Sequence, residues 1–135
     1  MLNVVCVNWG LKFKPVYTQT LYNMVQRHLT IPHKFICYTN HIKLQKIVKG
    51  DNIEIRKLPF AEEYHGYWNK LSLFSPEAKL SGPCLYFDLD VVISDNIDLL
   101  NMMKDMYSIY VVNTDDTNIS KRLKLKFAGI LTKLL

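Results

Sequence analysis

With 135 residues, 49% hydrophobic and 21% charged, the chain has room for one domain and a short appendage, and its apolar content suits a packed core rather than a disordered or collagen-like polymer. No apolar run approaches the ~20 residues of a spanning helix, and the opening Met1-Leu2-Asn3-Val4 lacks the basic start of a secretory signal, so a cytoplasmic protein is expected. The net charge of +5 is local: from residue 119 onward Lys121, Arg122, Lys124, Lys126 and Lys133 stand without a single acid, which leaves a formally neutral body and a basic tail.

Residues 2–7 are short, β-branched and apolar, as a fully buried strand requires, and Asn8-Trp9-Gly10 closes it. Pro15 stands where a first helical residue would, and Val16, Tyr17, Leu21, Met24, Val25, His28 and Leu29 follow at helical spacing until Pro32 stops the helix. His28 on that apolar side reads as a core histidine. Residues 34–39 form a second apolar strand, 42–48 a short helix ended by Gly50-Asp51, and 53–58 a more exposed strand of alternating apolar and charged residues.

Residues 61–66 are polar loop. Trp68, Leu71, Phe74 and Ala78 recur at helical spacing over 68–80, with a break at Ser75-Pro76. A turn at Ser81-Gly82-Pro83 leads to a strand over 84–87, then Asp88-Leu89-Asp90 and the apolar Val91-Val92-Ile93. A short helix over 97–103 and a strand over 107–112 complete the body. Strands alternating with helices predict an α/β fold with a mostly parallel sheet. In the tail, Ile119, Leu123, Phe127, Ile130, Leu131 and Leu134 favour a helix, although 122–127 also alternates as a strand would.

Cys6, Cys37 and Cys84 form no C-x-x-C pair and each lies in an apolar stretch, so buried reduced thiols are expected. His33, His41 and His65 have no metal-ligand spacing to one another.

Chemistry concentrates at Phe87-Asp88-Leu89-Asp90-Val91. Two carboxylates in an apolar run must reach a sheet edge or find a cation, because burying them unpaired is costly. In an extended backbone Asp88 and Asp90 point the same way and converge on one point. Two oxygen ligands at a strand's carboxyl end suit Mn²⁺ or Mg²⁺ bridging phosphate oxygens, at the edge where open α/β sheets take ligands.

Several blocks together resemble the GT-A-fold, nucleotide-sugar-dependent glycosyltransferases of bacterial and phage type. They are Val-Cys-Val-Asn-Trp-Gly at 5–10, Tyr-Thr-Gln-Thr-Leu-Tyr-Asn-Met-Val-Gln-Arg-His-Leu at 17–29, Phe-Ile-Cys-Tyr-Thr-Asn at 35–40, Tyr-Trp-Asn-Lys-Leu-Ser-Leu-Phe at 67–74 and Leu-Tyr-Phe-Asp-Leu-Asp-Val-Val-Ile at 85–93. The resemblance implies a Rossmann-like nucleotide-sugar-binding domain over 1–112 and a basic amphipathic tail over 113–135. It implies transfer of a sugar, with a UDP-sugar as donor, to a glycan, lipid-linked or protein acceptor. Asp88 and Asp90 would be the D-x-D pair: Asp90 holds the metal and Asp88 reaches the metal or the ribose. Val7, Asn8 and Trp9 would line the nucleotide pocket, with Thr39 near the base, and Trp68 would be a further cofactor-binding residue. Lys70 would neutralise the diphosphate, whose charge develops as it departs.

The likeness runs from about residue 4 to residue 100, and no histidine follows His65 to act as the further metal ligand that such enzymes often carry. A chain lacking the family's C-terminal half is therefore expected, with a non-catalytic nucleotide- and metal-binding remnant as the alternative. A second alternative is a haloacid-dehalogenase-type phosphatase, with Asp88 as nucleophile and Asp90 as general acid/base. For that chemistry Lys121 and Asp115-Asp116 come in the wrong order. The tail lacks the aromatic interleaving of a nucleic-acid module, and its basic and apolar sides suit peripheral contact with an anionic membrane.

Overall fold

The computed structural model describes residues 1–41, 43–98, 111–112 and 125–126. The chain forms two compact units, Met1–Met102 and Met103–Leu135. The first contains β1 (Leu2–Asn8), α1 (Pro15–His28), β2 (His33–Thr39), α2 (Leu44–Ile47), β3 (Ile53–Lys57), two 3₁₀ segments (Gly66–Phe74 and Pro76–Ala78) and β4 (Cys84–Tyr86). The four strands make one all-parallel sheet in the order β3-β2-β1-β4. This is the α/β sheet with helical crossovers that the alternation of elements predicts.

β1 and β2 lie at the centre in direct register, Val4 beside Phe35 and Cys6 beside Cys37. Both faces of these strands are covered, which is why their sequences are almost continuously apolar. On one face Val4, Cys6, Phe35 and Cys37 meet Leu21, Tyr22 and Val25 of α1, and Leu89, Ile93 and Ile97 from the chain beyond β4 join them. On the other, Val5, Ile36 and Tyr38 pack with Leu58, Ala78, Leu73 and Tyr86. β3 is a partly exposed edge, its Ile53 and Ile55 turned to the α1 side.

α1 begins as expected, with Pro15 at its first position, and the chain leaves at Leu29 in an extended conformation. Its buried face, however, is Thr18, Leu21, Tyr22 and Val25, while Val16 is 60% and Tyr17 43% exposed. Leu21, Val25 and Leu29 are buried as expected, whereas at the first turn the hydrogen-bonded Thr18 takes the inward position in place of Val16 and Tyr17. The Asn8 Nδ2 donates to Thr18 Oγ1 at 2.9 Å, tying the end of β1 to the first turn of α1. His28, expected as a core residue, is only half-buried. Its carbonyl accepts from Ile97 N at 2.9 Å, and Thr30 donates through N and Oγ1 to Asp98, at 2.8 and 2.7 Å. These bonds hold the exit of α1 to the chain that follows β4.

The helix expected over 68–80 is wound as 3₁₀, with the break at Ser75. Ser72 Oγ donates to the Asn69 carbonyl and Ser75 Oγ to the Ser72 carbonyl, so hydroxyls compete for acceptors an α-helix would use. Arg56 fixes the second 3₁₀ segment onto the sheet. It donates to the carbonyls of Ala78 and Lys79, at 3.2 Å each, and to the Tyr38 hydroxyl at 3.1 Å. Cys6 and Cys37 are buried and reduced as expected; Cys84, at the start of β4, is exposed instead.

The second unit, taken by itself, contains β5 (Val111–Val112) paired antiparallel with β6 (Leu125–Lys126). At Leu125–Lys126 the strand pattern prevails over the expected helix, because alternation there finds a partner strand. Ile42, most of the expected 97–103 helix, Tyr107 to Tyr110 and the rest of the basic tail lie outside the described residues. No described helix is long and apolar enough to cross a membrane.

Candidate functional site

β1 leads through α1 to β2 on one side, whereas β4 lies on its other side. The chain direction out of the sheet thus reverses between β1 and β4, and such a switch point opens a crevice beyond the carboxyl ends of the strands. At this edge stand Asn8, the last residue of β1, with Trp9 and Gly10 after it, Thr39, the last residue of β2, with Asn40 after it, and Asp88 after β4.

The first two loops are laced together. Asn8 and Thr39 are register partners, and both are buried, at 1% exposure each. Gly10, at a positive φ of 73°, donates its N–H to Asn40 Oδ1 at 3.1 Å, and His41 Nε2 lies 2.7 Å from the Gly10 carbonyl. Thr39 Oγ1 accepts from His41 N at 3.0 Å. Thr39 is thus a loop-fixing residue whose hydroxyl is already engaged. Asn8 has donated its amide nitrogen to Thr18, while its buried Oδ1 has no partner among the described residues. A buried amide oxygen left without a donor is uncommon and calls for an explanation, such as a ligand or a water.

Trp9 is half-buried, its Nε1–H donating to the Ala61 carbonyl at 3.3 Å and its ring edge-on to His65 at 5.9 Å. Val7 is half-buried and packs against the cluster containing Val5 and Tyr38. Trp68 is 53% exposed and tilts against the Tyr67 ring at 4.9 Å. No hydrogen bond links Trp68 to the β1, β2 or β4 loops among the described residues.

Lys70 and Asp88 do come together, although they lie on different elements. Lys70 stands on the first 3₁₀ segment, and its Nζ is 2.6 Å from Asp88 Oδ1. The same oxygen accepts from the Tyr86 hydroxyl at 2.9 Å, and Lys70 Nζ lies 5.4 Å from the centre of the Tyr86 ring. Burial, and then the neighbouring Asp88 charge, pushes the Tyr86 phenol far above its ordinary range, so it remains a donor at all physiological pH. Asn69, next to Lys70 in the chain and fully buried, anchors this segment: its Nδ2 donates to the Tyr64 and Gly66 carbonyls at 3.1 Å each. The Asn69 Oδ1, like that of Asn8, is buried and unpartnered among the described residues.

The backbone at Asp88-Leu89-Asp90 differs from the expectation. β4 ends at Tyr86, one further sheet bond runs from Phe87 N to the Val5 carbonyl at 3.0 Å, and Leu89-Asp90 then form a turn closed by Val91 N to the Asp88 carbonyl at 3.3 Å. Alternation along an extended strand therefore does not govern how the two carboxylates are disposed. The cause is Leu89, 5% exposed, which packs with the α1-side core while the chain bends around it. Asp90 is left exposed.

These carboxylates suit a hard divalent cation in donor chemistry. Asp88 Oδ1 is held in place from two sides, while its Oδ2 and the whole Asp90 carboxylate have no hydrogen bond among the described residues. No cluster of three or more histidine, cysteine or acidic side chains occurs among the described residues, so a divalent ion held here would need further oxygen ligands from outside these side chains.

Sequence reasoning missed Tyr86. Its signal was available, since a residue two positions before Asp88 on a strand shares its face. A separate concavity of about 390 Å³ lies at the opposite edge, bordered by Asn3, Lys34, Arg56 and Lys79. There Arg56 is committed to Glu54, Tyr38 and two carbonyls, and Lys34 to Glu54 at 2.8 Å, which makes these cations part of the scaffold. No family model, curated protein or solved structure matches the chain.

Proposed function

We propose that the carboxyl edge of this sheet is the donor site of a GT-A-like glycosyltransferase, which takes a nucleoside-diphosphate sugar, UDP-linked, and transfers the sugar to an acceptor. The observation that carries this reading is the 2.6 Å pairing of Lys70 with Asp88 at the switch point between β1 and β4. A lysine beside an aspartate at this edge is a charge pattern that suits a metal-bound diphosphate.

Asp88 and Asp90 would hold Mn²⁺ or Mg²⁺, which when bound supplies Lewis-acid stabilisation of the departing diphosphate. Tyr86 orients Asp88 through its hydroxyl. Lys70 adds positive charge where the leaving group gathers negative charge. Asn8 fixes the end of β1 beneath the loop through its bond to Thr18. Thr39 and the loop bonds through Gly10, Asn40 and His41 keep the β1 and β2 ends rigid. Trp9, on the same loop as Gly10, ties it to Ala61 and His65 and would line the nucleotide side.

The test is release of UDP from a panel of UDP-sugars with Mn²⁺, in water and with mixed glycan acceptors, beside hydrolysis of a generic phosphate monoester. UDP release lost in Asp90→Ala supports the proposal. Phosphate-ester hydrolysis lost in Asp88→Asn, without UDP release, replaces it with the phosphatase. Metal-dependent UDP binding without turnover reduces it to a nucleotide-binding domain.

A further inference from the structure

Resting on that donor-site reading, we infer that Lys70 is an exchangeable cation at Asp88: it neutralises the carboxylate before ligands arrive, and yields it to the divalent ion when the diphosphate offers a new partner. The geometry gives three reasons. The ammonium is 2.6 Å from Oδ1, the position of a first-contact cation. A divalent ion on the same carboxylate would sit at about 2.0–2.2 Å from oxygen, within a few ångströms of the ammonium, where like charges repel. Lys70 can also leave at little cost, because its side chain is 40% and that of Asp88 47% exposed, and no hydrogen bond other than the ion pair holds its Nζ among the described residues.

Tyr86 is the fixed part of this arrangement. Its hydroxyl stays on Oδ1 at 2.9 Å, so Asp88 keeps its orientation while Lys70 departs. The functional consequence is linkage. Metal alone must displace Lys70, whereas metal with diphosphate gives Lys70 a phosphate oxygen in exchange, so each ligand strengthens the other's binding. An exposed ion pair is worth about two- to five-fold in an equilibrium constant, which sets the scale of the effect.

The experiment is titration of Mn²⁺ into the full chain, followed by electron paramagnetic resonance of the free ion, with and without UDP. Lys70→Met and Lys70→Gln are compared with the unmodified protein, Asp90→Ala and Lys79→Met. The last removes one positive charge at the opposite edge, and thermal midpoints check that each variant is folded. The exchange predicts that both Lys70 variants bind Mn²⁺ about two- to five-fold tighter without UDP, that Lys79→Met does not, and that the mutual strengthening of Mn²⁺ and UDP shrinks by about the same two- to five-fold factor. Mn²⁺ affinity equal to or weaker than that of the unmodified protein in both Lys70 variants overturns the exchange while leaving the donor site standing, provided Asp90→Ala still abolishes binding. If the unmodified protein binds no Mn²⁺, or Asp90→Ala binds it equally well, the donor-site reading falls and the exchange with it.

Discussion

Replacing Thr18 by valine keeps the shape of the side chain but removes the only acceptor for the Asn8 amide among the described residues. The two groups are 2.9 Å apart and buried, Thr18 at 0% and Asn8 at 1% exposure, so water cannot step in. Since Asn8 Oδ1 already lacks a partner, Thr18→Val strands the whole amide in the core. An unsatisfied buried donor costs about 1–3 kcal/mol. In a unit of roughly 100 residues, a loss of about 2 kcal/mol lowers the thermal midpoint by roughly 8–16 °C. The pair should also couple. Asn8→Ala should cost about 1–2 kcal/mol less in the Thr18→Val background than alone, because it then removes a group that has become unfavourable. Urea unfolding followed by circular dichroism on the two single variants and the double variant measures both quantities. A Thr18→Val loss below about 0.5 kcal/mol, or strict additivity, would refute the claim that this bond fixes the end of β1 to α1.

Two other perturbations probe the scaffold and the site. Hydrogen bonds from Arg56 first, then Lys34, hold the Glu54 carboxyl down to about 2 from its ordinary 4.5. A folded-state value below the unfolded one stabilises fully above pH 4.5, and that contribution disappears as pH falls toward 2. The Glu54 side chain is 38% exposed, so screening cuts the contribution to about 1 kcal/mol. Unfolding midpoints between pH 5 and pH 2 should fall less steeply in Glu54→Gln, and an unchanged acid limb would contradict this role. Tyr86→Phe keeps the ring and its packing but leaves Asp88 Oδ1 held by Lys70 alone, without the fixed donor that orients it, so Mn²⁺ affinity should weaken about tenfold while stability changes little. Wild-type Mn²⁺ affinity in that variant would remove Tyr86 from the site.

The parts of the fold legible in the sequence are those where one physical rule acts alone. β1 and β2 announce themselves because covering both sheet faces demands a continuous apolar run, and α1 because Pro15 can stand only at a helix start. The later turns of α1 follow hydropathy, with Leu21, Val25 and Leu29 buried, but its first turn does not, because Thr18 pairs with Asn8 from another element and hydropathy assigns no value to that partnership. The 3₁₀ winding of Gly66–Phe74 depends on the hydroxyls of Ser72 and Ser75 taking carbonyls, a competition that apolar spacing does not register. At the site, the carboxylates of Asp88 and Asp90 stand out from an apolar run, whereas Lys70 gains a role only from the resemblance carried by residues 67–74; the pairing of Lys70 with Asp88 follows from the first 3₁₀ segment covering the sheet face that carries Tyr86. The turn at Leu89-Asp90 was not legible, because it follows from packing Leu89 into the α1-side core.

Calorimetric titration of UDP into the protein, with and without Mn²⁺ and repeated on Asp90→Ala, tests the donor site most directly. Metal-dependent binding that disappears in Asp90→Ala is the predicted result. The absence of UDP binding in the presence of Mn²⁺, or binding indifferent to both the metal and Asp90, would contradict it.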